Sequence, residues 1–383
     1  MSKQFVVTHR ARYWGVAPVL LLCIFKFLDV SAGTRREMDE SNGIWSRDNL
    51  IAWEIASADT KKRGSEERAR LLNAYGIKRY AYLATRDPFG DDRANVSQLD
   101  INNEIEAMQR HGIEISAWYF WVNMEDPAKD PNVRAALEAF KRYRIQPQIW
   151  VSESFAGTPR SPEDWHSVLP SLPVGNKSID EYPARKRADL IKGYIAADAV
   201  VQLSSYPKTL EEYEARVQRE ADRIHAFVKI ASECGCKVNL YNHRGWFGMI
   251  ENQLAIIKRL EEMGVTTVGL VYNFSHSRDF FHDDSKVFAK LWKKMQPYVV
   301  AVNVTAVSLD GLQPLYLSHG VGEIEMMRTI AESGWKGPVG LLLGDKGGDV
   351  ESNIRKTLLG LDWIVGELRK PGSAGPRPVL TVP

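Results

Sequence analysis

Cysteine is nearly absent: three in 383 residues, at positions 23, 234 and 236, which excludes a disulfide-stapled scaffold. Charge of one sign is not in excess either, since 50 Lys+Arg stand against 48 Asp+Glu for a formal +2. That balance argues against a strongly basic nucleic-acid binder and against an acidic tail. No apolar run reaches the roughly 18 residues that cross a bilayer comfortably. The first β-rich segment is not followed by G-x-G-x-x-G, which weakens a dinucleotide-binding doubly wound sheet. What is present is 44% hydrophobic and 26% charged residues, enough for a full core.

At the N-terminus Lys3, Arg10 and Arg12 precede the apolar run Trp14 to Phe25, and Val30-Ser31-Ala32 offers the small residues that a signal peptidase reads. Residues 1–32 are therefore expected to be an export signal cleaved after Ala32, or else a retained membrane anchor. Lys3, Arg10, Arg12 and Lys26 against Asp29 give this segment +3, so the remainder carries −1. The expected destination is periplasmic or secreted, with membrane contact only through an uncleaved N-terminus. Cleavage would leave two cysteines, Cys234 and Cys236. Residues two apart strain a disulfide, and no second CxC or His cluster for zinc lies nearby in the sequence, so they read as small buried fillers.

From residue 50 onward, short β-rich runs alternate with amphipathic helical ones. Strands are expected at 50–56, 77–83, 113–122, 145–151, 237–241, 265–272, 298–304 and 338–343, each followed by a helical pattern. Gly76 and Gly112 mark helix ends. Eight strand-helix units joined by right-handed crossovers close most economically into a (β/α)8 TIM barrel, α/β in class, spanning residues 50–368. A long insertion, 152–208, follows strand 4 and is expected at the mouth side as a lid or wall of the pocket. A Pro/Gly-rich tail covers 369–383.

Strand-end residues of such a barrel converge at one mouth, so polar side chains there are the candidates for chemistry. After strand 5, Tyr241, Asn242 and His243 are followed by Trp246, an aromatic face beside hydrogen-bonding groups that suits a polyol. Asn273 and His276 follow strand 6, and Asn303 ends strand 7. His243 and His276 titrate in the useful range and are the first candidates for acid/base catalysis. Glu54, in the first strand and able to face the interior or the helices, and Asp59, in the loop beyond it, are the candidate carboxylates. Gln148, Trp150 and His319 complete the expected substrate-binding set, with Trp118, Trp121, Glu153, Asp345 and Lys346 as further strand-end residues.

Asn239 to Gly248, Val268-Gly-Leu-Val-Tyr-Asn-Phe-Ser-His276 and Gly334-Trp-Lys-Gly-Pro-Val-Gly340 resemble, in that order and spacing, the xylose isomerase-like TIM barrels of the sugar phosphate isomerase/epimerase superfamily. The resemblance covers about residues 50–366. It implies a sugar substrate and a proton shuttled between neighbouring carbons beside a divalent ion, often manganese, held by Glu, Asp, His and Glu at successive strand ends. Matched by motif, those positions hold Tyr241, Asn273, Asn303 and Leu342, so the usual ligands are replaced and no metal ligand is expected here. His276 and His243 match histidines of the family pattern. The endonucleases of the same superfamily are a poor match, because their many zinc ligands are missing. The sequence thus reads as an exported epimerase-, isomerase- or lyase/hydratase-like barrel acting on a small carbohydrate, with no nucleic-acid partner. A non-catalytic carbohydrate-binding barrel is the alternative, and a homo-oligomer stays open.

Overall fold

The computed structural model describes residues 43–56, 59–85, 98–121, 127–152, 207–243, 246–276, 285–307, 314–343 and 348–380. Residues 1–32, expected to be an export signal, together with Glu153, nearly all of the 152–208 insertion, Asp345 and Lys346, lie outside the described residues.

In chain order the elements are β1 (Leu50–Trp53), α1 (Ser65–Ala74), β2 (Arg79–Thr85), α2 (Gln98–Arg110), β3 (Glu114–Trp121), α3 (Pro131–Tyr143), β4 (Gln148–Val151), α4 (Leu210–Ser232), β5 (Val238–Tyr241), α5 (Ile250–Glu262), β6 (Gly269–Asn273), α6 (Ser285–Met295), β7 (Val299–Val304), β8 (Ala306–Val307), β9 (Pro314–Leu315), α7 (Glu323–Glu332), β10 (Val339–Leu342) and α8 (Val350–Arg369). Eight strands form a closed ring in the order β1-β10-β7-β6-β5-β4-β3-β2. Every ladder is parallel, and β1 closes the ring through Leu50↔Val339 to Trp53↔Leu342. The fold is therefore the (β/α)8 barrel that the alternation implies. One feature is additional: β8 and β9 make a small antiparallel hairpin between β7 and α7.

Side-chain alternation sorts the strands into two cores. Leu50, Ala52, Tyr80, Trp118, Phe120, Ile149, Val151, Val238, Leu240, Leu270 and Tyr272 face outward into the helix layer. Their inward neighbours Ile51, Trp53, Ala81, Ala117, Tyr119, Trp150, Tyr241, Val271, Ala301 and Leu342 fill the barrel. Small residues from β2, β3 and β7 leave the room that two Trp and two Tyr occupy. Burying each of these large rings contributes roughly 1.5–3 kcal/mol.

Helix boundaries follow from capping. Asp130 accepts from Asn132 N at 2.8 Å and Val133 N at 3.1 Å ahead of Pro131, and Thr209 accepts from Glu212 N at 3.1 Å. Gly76 and Gly112 end α1 and α2 with φ of 70° and 64°, as expected of helix stops. The chain beyond α8 folds back onto it: Trp363 Nε1 donates to Gly375 O at 3.1 Å, and Gly372 N to Glu367 at 2.8 Å. No helix among the described residues is long and apolar enough to cross a membrane.

Candidate active site at the barrel mouth

The floor of the mouth is built from inward residues at the carboxyl ends of β1, β3, β4 and β5. Trp53 packs edge-on against Trp150 and Tyr119, with ring centroids 5.3 and 5.5 Å away, and Tyr241 stacks on Trp150 at 5.9 Å. The Tyr241 hydroxyl sits at the centre of this group. It accepts from Trp53 Nε1 at 3.2 Å and from the Asn273 amide. Burial, reinforced by the nearby Glu54 charge, pushes the Tyr241 phenol well above its ordinary value, so it stays neutral at any working pH. Tyr119 is raised in the same way, again with Glu54 among the causes.

Glu54 owes this position to backbone geometry. The first strand stops at Trp53, three residues earlier than its sequence suggests, and Glu54 takes a left-handed φ of 59°. This turn breaks the strand alternation and brings the carboxylate beside two phenols that belong to the barrel interior. A non-glycine residue in that conformation is uncommon and costs roughly 1–2 kcal/mol, a strain that tends to persist at functional sites.

Across the mouth stand the two histidines. His243 leaves β5 through a tight turn, its N–H donating to Tyr241 O at 2.7 Å. His276 closes the 3-10 turn Phe274–His276 after β6. Their rings lie 4.3 Å apart at 42°, and His276 meets Tyr241 edge-on at 5.9 Å. Glu54, His243 and His276 are partly exposed, whereas Trp53, Tyr119, Trp150, Tyr241 and Asn273 beneath them are buried. The partly exposed residues are thus Glu54 and the two histidines, although the Nδ1 atoms of both imidazoles are themselves buried.

The other expected site residues are distributed differently. Asn273 faces inward, and its Oδ1 accepts from Ser275 N and Ser275 Oγ at 2.8 Å each, so the amide braces the turn leading to His276. Asn303 is fully buried beside it, near enough to act on the Tyr241 hydroxyl, and neither atom of its amide has a well-formed hydrogen bond among the described residues. Trp150 belongs to the floor. Asn242 clamps β6 instead of facing the pocket, taking Asn273 N at 2.6 Å and giving to Asn273 O at 3.2 Å. Gln148 begins β4 and therefore sits at the far end of the barrel, where its Oε1 accepts from Trp150 Nε1 at 3.0 Å.

Trp246 does not offer its face to the mouth. It is buried in the helix layer, edge-on to Tyr213 and under the Arg216 guanidinium at 4.4 Å, both residues of α4. His319 flanks the barrel: Leu380 N of the C-terminal tail donates to its Nε2 at 3.4 Å. Asp59 is buried in an ion cluster, with Arg63 Nη1 at 2.8 Å and the backbone N–H groups of Lys61 and Arg63 at 3.2 and 3.1 Å. Trp118 packs outward on Phe140. Sequence reasoning did not single out Trp53 and Tyr119 as part of the site. The i, i+2 alternation with Ile51 and Ala117 is the signal that would have found them.

The positions that the family pattern assigns to metal ligands meet at this floor, but their chemistry does not fit a hard divalent cation. Tyr241 is held as a neutral phenol that already accepts two hydrogen bonds, Asn273 and Asn303 offer neutral amides, and Leu342 offers nothing. No group of three or more His, Cys, Asp or Glu among the described residues is arranged to hold a metal ion.

No protein-family model matches the sequence, and no curated protein matches it either. Solved structures do match in fold. The 3-keto-D-glucoside 4-epimerase of E. coli aligns with a TM-score of 0.51 at 11% identity, over 83% of this chain and 98% of that one. An L-ribulose 3-epimerase aligns with a TM-score of 0.51 at 9% identity, over 84% and 95%. What is shared with both is the closed (β/α)8 barrel, and at these identities the likeness speaks for the fold alone.

Proposed function

We propose that this chain is a sugar isomerase/epimerase-like enzyme that moves a proton on a small carbohydrate without the divalent ion its fold relatives commonly use. The observation that carries the reading is the His243–His276 pair, its rings 4.3 Å apart and His276 edge-on to Tyr241, above a buried aromatic floor whose Tyr241 hydroxyl also feels the Glu54 charge. In this scheme Glu54 takes the proton from a carbon next to the sugar carbonyl. The imidazoles face the carbonyl oxygen, donate to it as negative charge develops, and return a proton to the intermediate. That both aligned enzymes are named as sugar epimerases supports the substrate class.

The test is deuterium wash-in. The protein, freed of metal by chelator, is incubated in heavy water with 3-keto-glucosides and free ketoses including L-ribulose, and carbon-bound protons are followed by NMR. Exchange beside a carbonyl is the expected result. A non-catalytic carbohydrate-binding barrel is the second reading, favoured by a floor packed so tightly that its four rings are at most 2% exposed. Sugar-dependent Trp fluorescence change without any exchange would support it over the first.

Export through residues 1–32 completes the proposal. The mature secreted chain is expected to begin at Gly33, which N-terminal sequencing of secreted material checks.

A further inference from the structure

At the end of the barrel opposite the mouth, α4 runs out into Cys234-Gly235-Cys236 immediately before β5. Both cysteines are free thiols, Cys234 half-buried and Cys236 buried. Their sulfurs lie 3.5 Å apart and share a hydrogen bond. The turn that brings them together is fixed by the backbone: Gly235 N and Cys236 N donate to Ser232 O and Ala231 O at 3.0 and 3.1 Å, and Gly235 has φ of 75°. A side chain at 235 would run into Gln146, so this turn depends on glycine both for its left-handed conformation and for space.

The two thiols are not equivalent. The hydrogen bond shared with Cys236 holds the Cys234 thiol down at about 7, against the opposing effect of burial and with help from Lys141. Cys236 is pushed well up by the same hydrogen bond and by its burial. A low-pKa, partly exposed thiol backed by a buried second one is the arrangement of an attacking and a resolving cysteine. The left-handed glycine is the same helix stop as Gly76 and Gly112; particular to this one are the cysteines on either side of it, which set two sulfurs in contact. A structural zinc ion would need four ligands, and no further cluster of His, Cys, Asp or Glu stands here among the described residues.

We propose that Cys234 and Cys236 form a thiol-disulfide exchange site that takes small disulfides of the glutathione type from solvent. The Cys234 thiolate attacks one sulfur of the incoming disulfide and expels the other half as a thiolate, giving a mixed disulfide. Cys236 loses its proton to solvent, attacks Cys234 Sγ and expels the second thiol. Two electrons pass from the protein dithiol to the small disulfide, which leaves as two thiols, and the protein keeps a Cys234–Cys236 bond. Because a single residue separates the two, the ring is strained and readily reopened by thiols, which suits exchange more than permanent cross-linking.

The experiment uses the full chain carrying Cys23→Ser, equilibrated across mixtures of reduced and oxidised glutathione, alkylated and weighed by mass spectrometry. With excess oxidised glutathione, both alkylation sites are expected to disappear together, leaving a chain lighter by two hydrogens than the unalkylated dithiol. Adding Cys236→Ser should trap one glutathione on Cys234, whereas adding Cys234→Ser should trap none. The alkylation rate of Cys234 should reach half its maximum near pH 7. Two thiols that alkylate fully at every glutathione ratio, or an adduct that forms on Cys236 in preference to Cys234, would overturn the proposal.

Discussion

Glu54 concentrates the functional reading in one residue, because its left-handed backbone opposes stability while its charge acts on the Tyr241 and Tyr119 phenols of the floor. Glu54→Gly should therefore raise the unfolding free energy by about 1 kcal/mol in urea titration while removing proton transfer. Glu54→Gln keeps the conformation and should lower turnover at least about 100-fold with little change in stability. Asp59 predicts the reverse. Its carboxylate organises the loop through Arg63, so Asp59→Asn should lower the melting temperature and leave chemistry at the mouth largely intact. Asn303 carries a buried amide that lacks well-formed bonds, a burden of about 1–3 kcal/mol. Asn303→Leu should therefore stabilise the barrel in the same titration, and any accompanying loss of sugar binding would mark the amide as the ligand's partner.

At the scale of elements, the ends of strands decide more than their middles. The alternation of β1 was legible in its sequence, but its termination at Trp53 was not, since Glu54-Ile55-Ala56 continues the apolar pattern while the backbone has already turned. The direction of Trp246 was equally hidden: it follows β5 by five residues, where His243 follows it by two, yet it packs on Arg216 of α4, the helix that precedes β5. The loop after β1 is tied to α8 by Arg63, which bridges Asp59, Asp349 and Glu351. Burial acts to raise the Asp349 carboxyl, but hydrogen bonds from Lys61 and Arg63 and the Glu351 N–H hold it at about 2. Depressed below its unfolded value near 3.9, this group stabilises the fold above that pH, and its contribution is lost as pH falls from about 4 to 2. Arg63→Met should destabilise by about 3 kcal/mol at pH 7, because it strands a buried carboxylate, and should flatten the fall in melting temperature over that acid range. α8 also touches the 316–318 segment so closely that a Cβ on Gly360 would meet the Leu317 carbonyl oxygen. Gly360→Ala should cost about 1–3 kcal/mol in the same assay.

For the whole molecule, the fold was the most legible property. Eight repeats of a β-rich run and an amphipathic helix leave a closed parallel ring as the economical solution, and the described strands close that ring. The candidate acid/base residues Glu54, His243 and His276 were legible as titratable side chains at or near strand ends. Their common floor of Trp53, Tyr119, Trp150 and Tyr241 emerges only when four strands are brought together. Tyr241 of that floor stands at one of the positions to which the resemblance assigns a metal ligand, and the proposed function leaves proton transfer to the rim. The most direct measurement is the rate at which solvent deuterium enters a sugar C–H beside its carbonyl, in chelator-treated protein, for the native chain and for Glu54→Gln. The account predicts exchange in the native chain that chelation leaves unchanged and that Glu54→Gln abolishes. Exchange that stops on chelation and returns with added manganese, or that continues undiminished in Glu54→Gln, would contradict it.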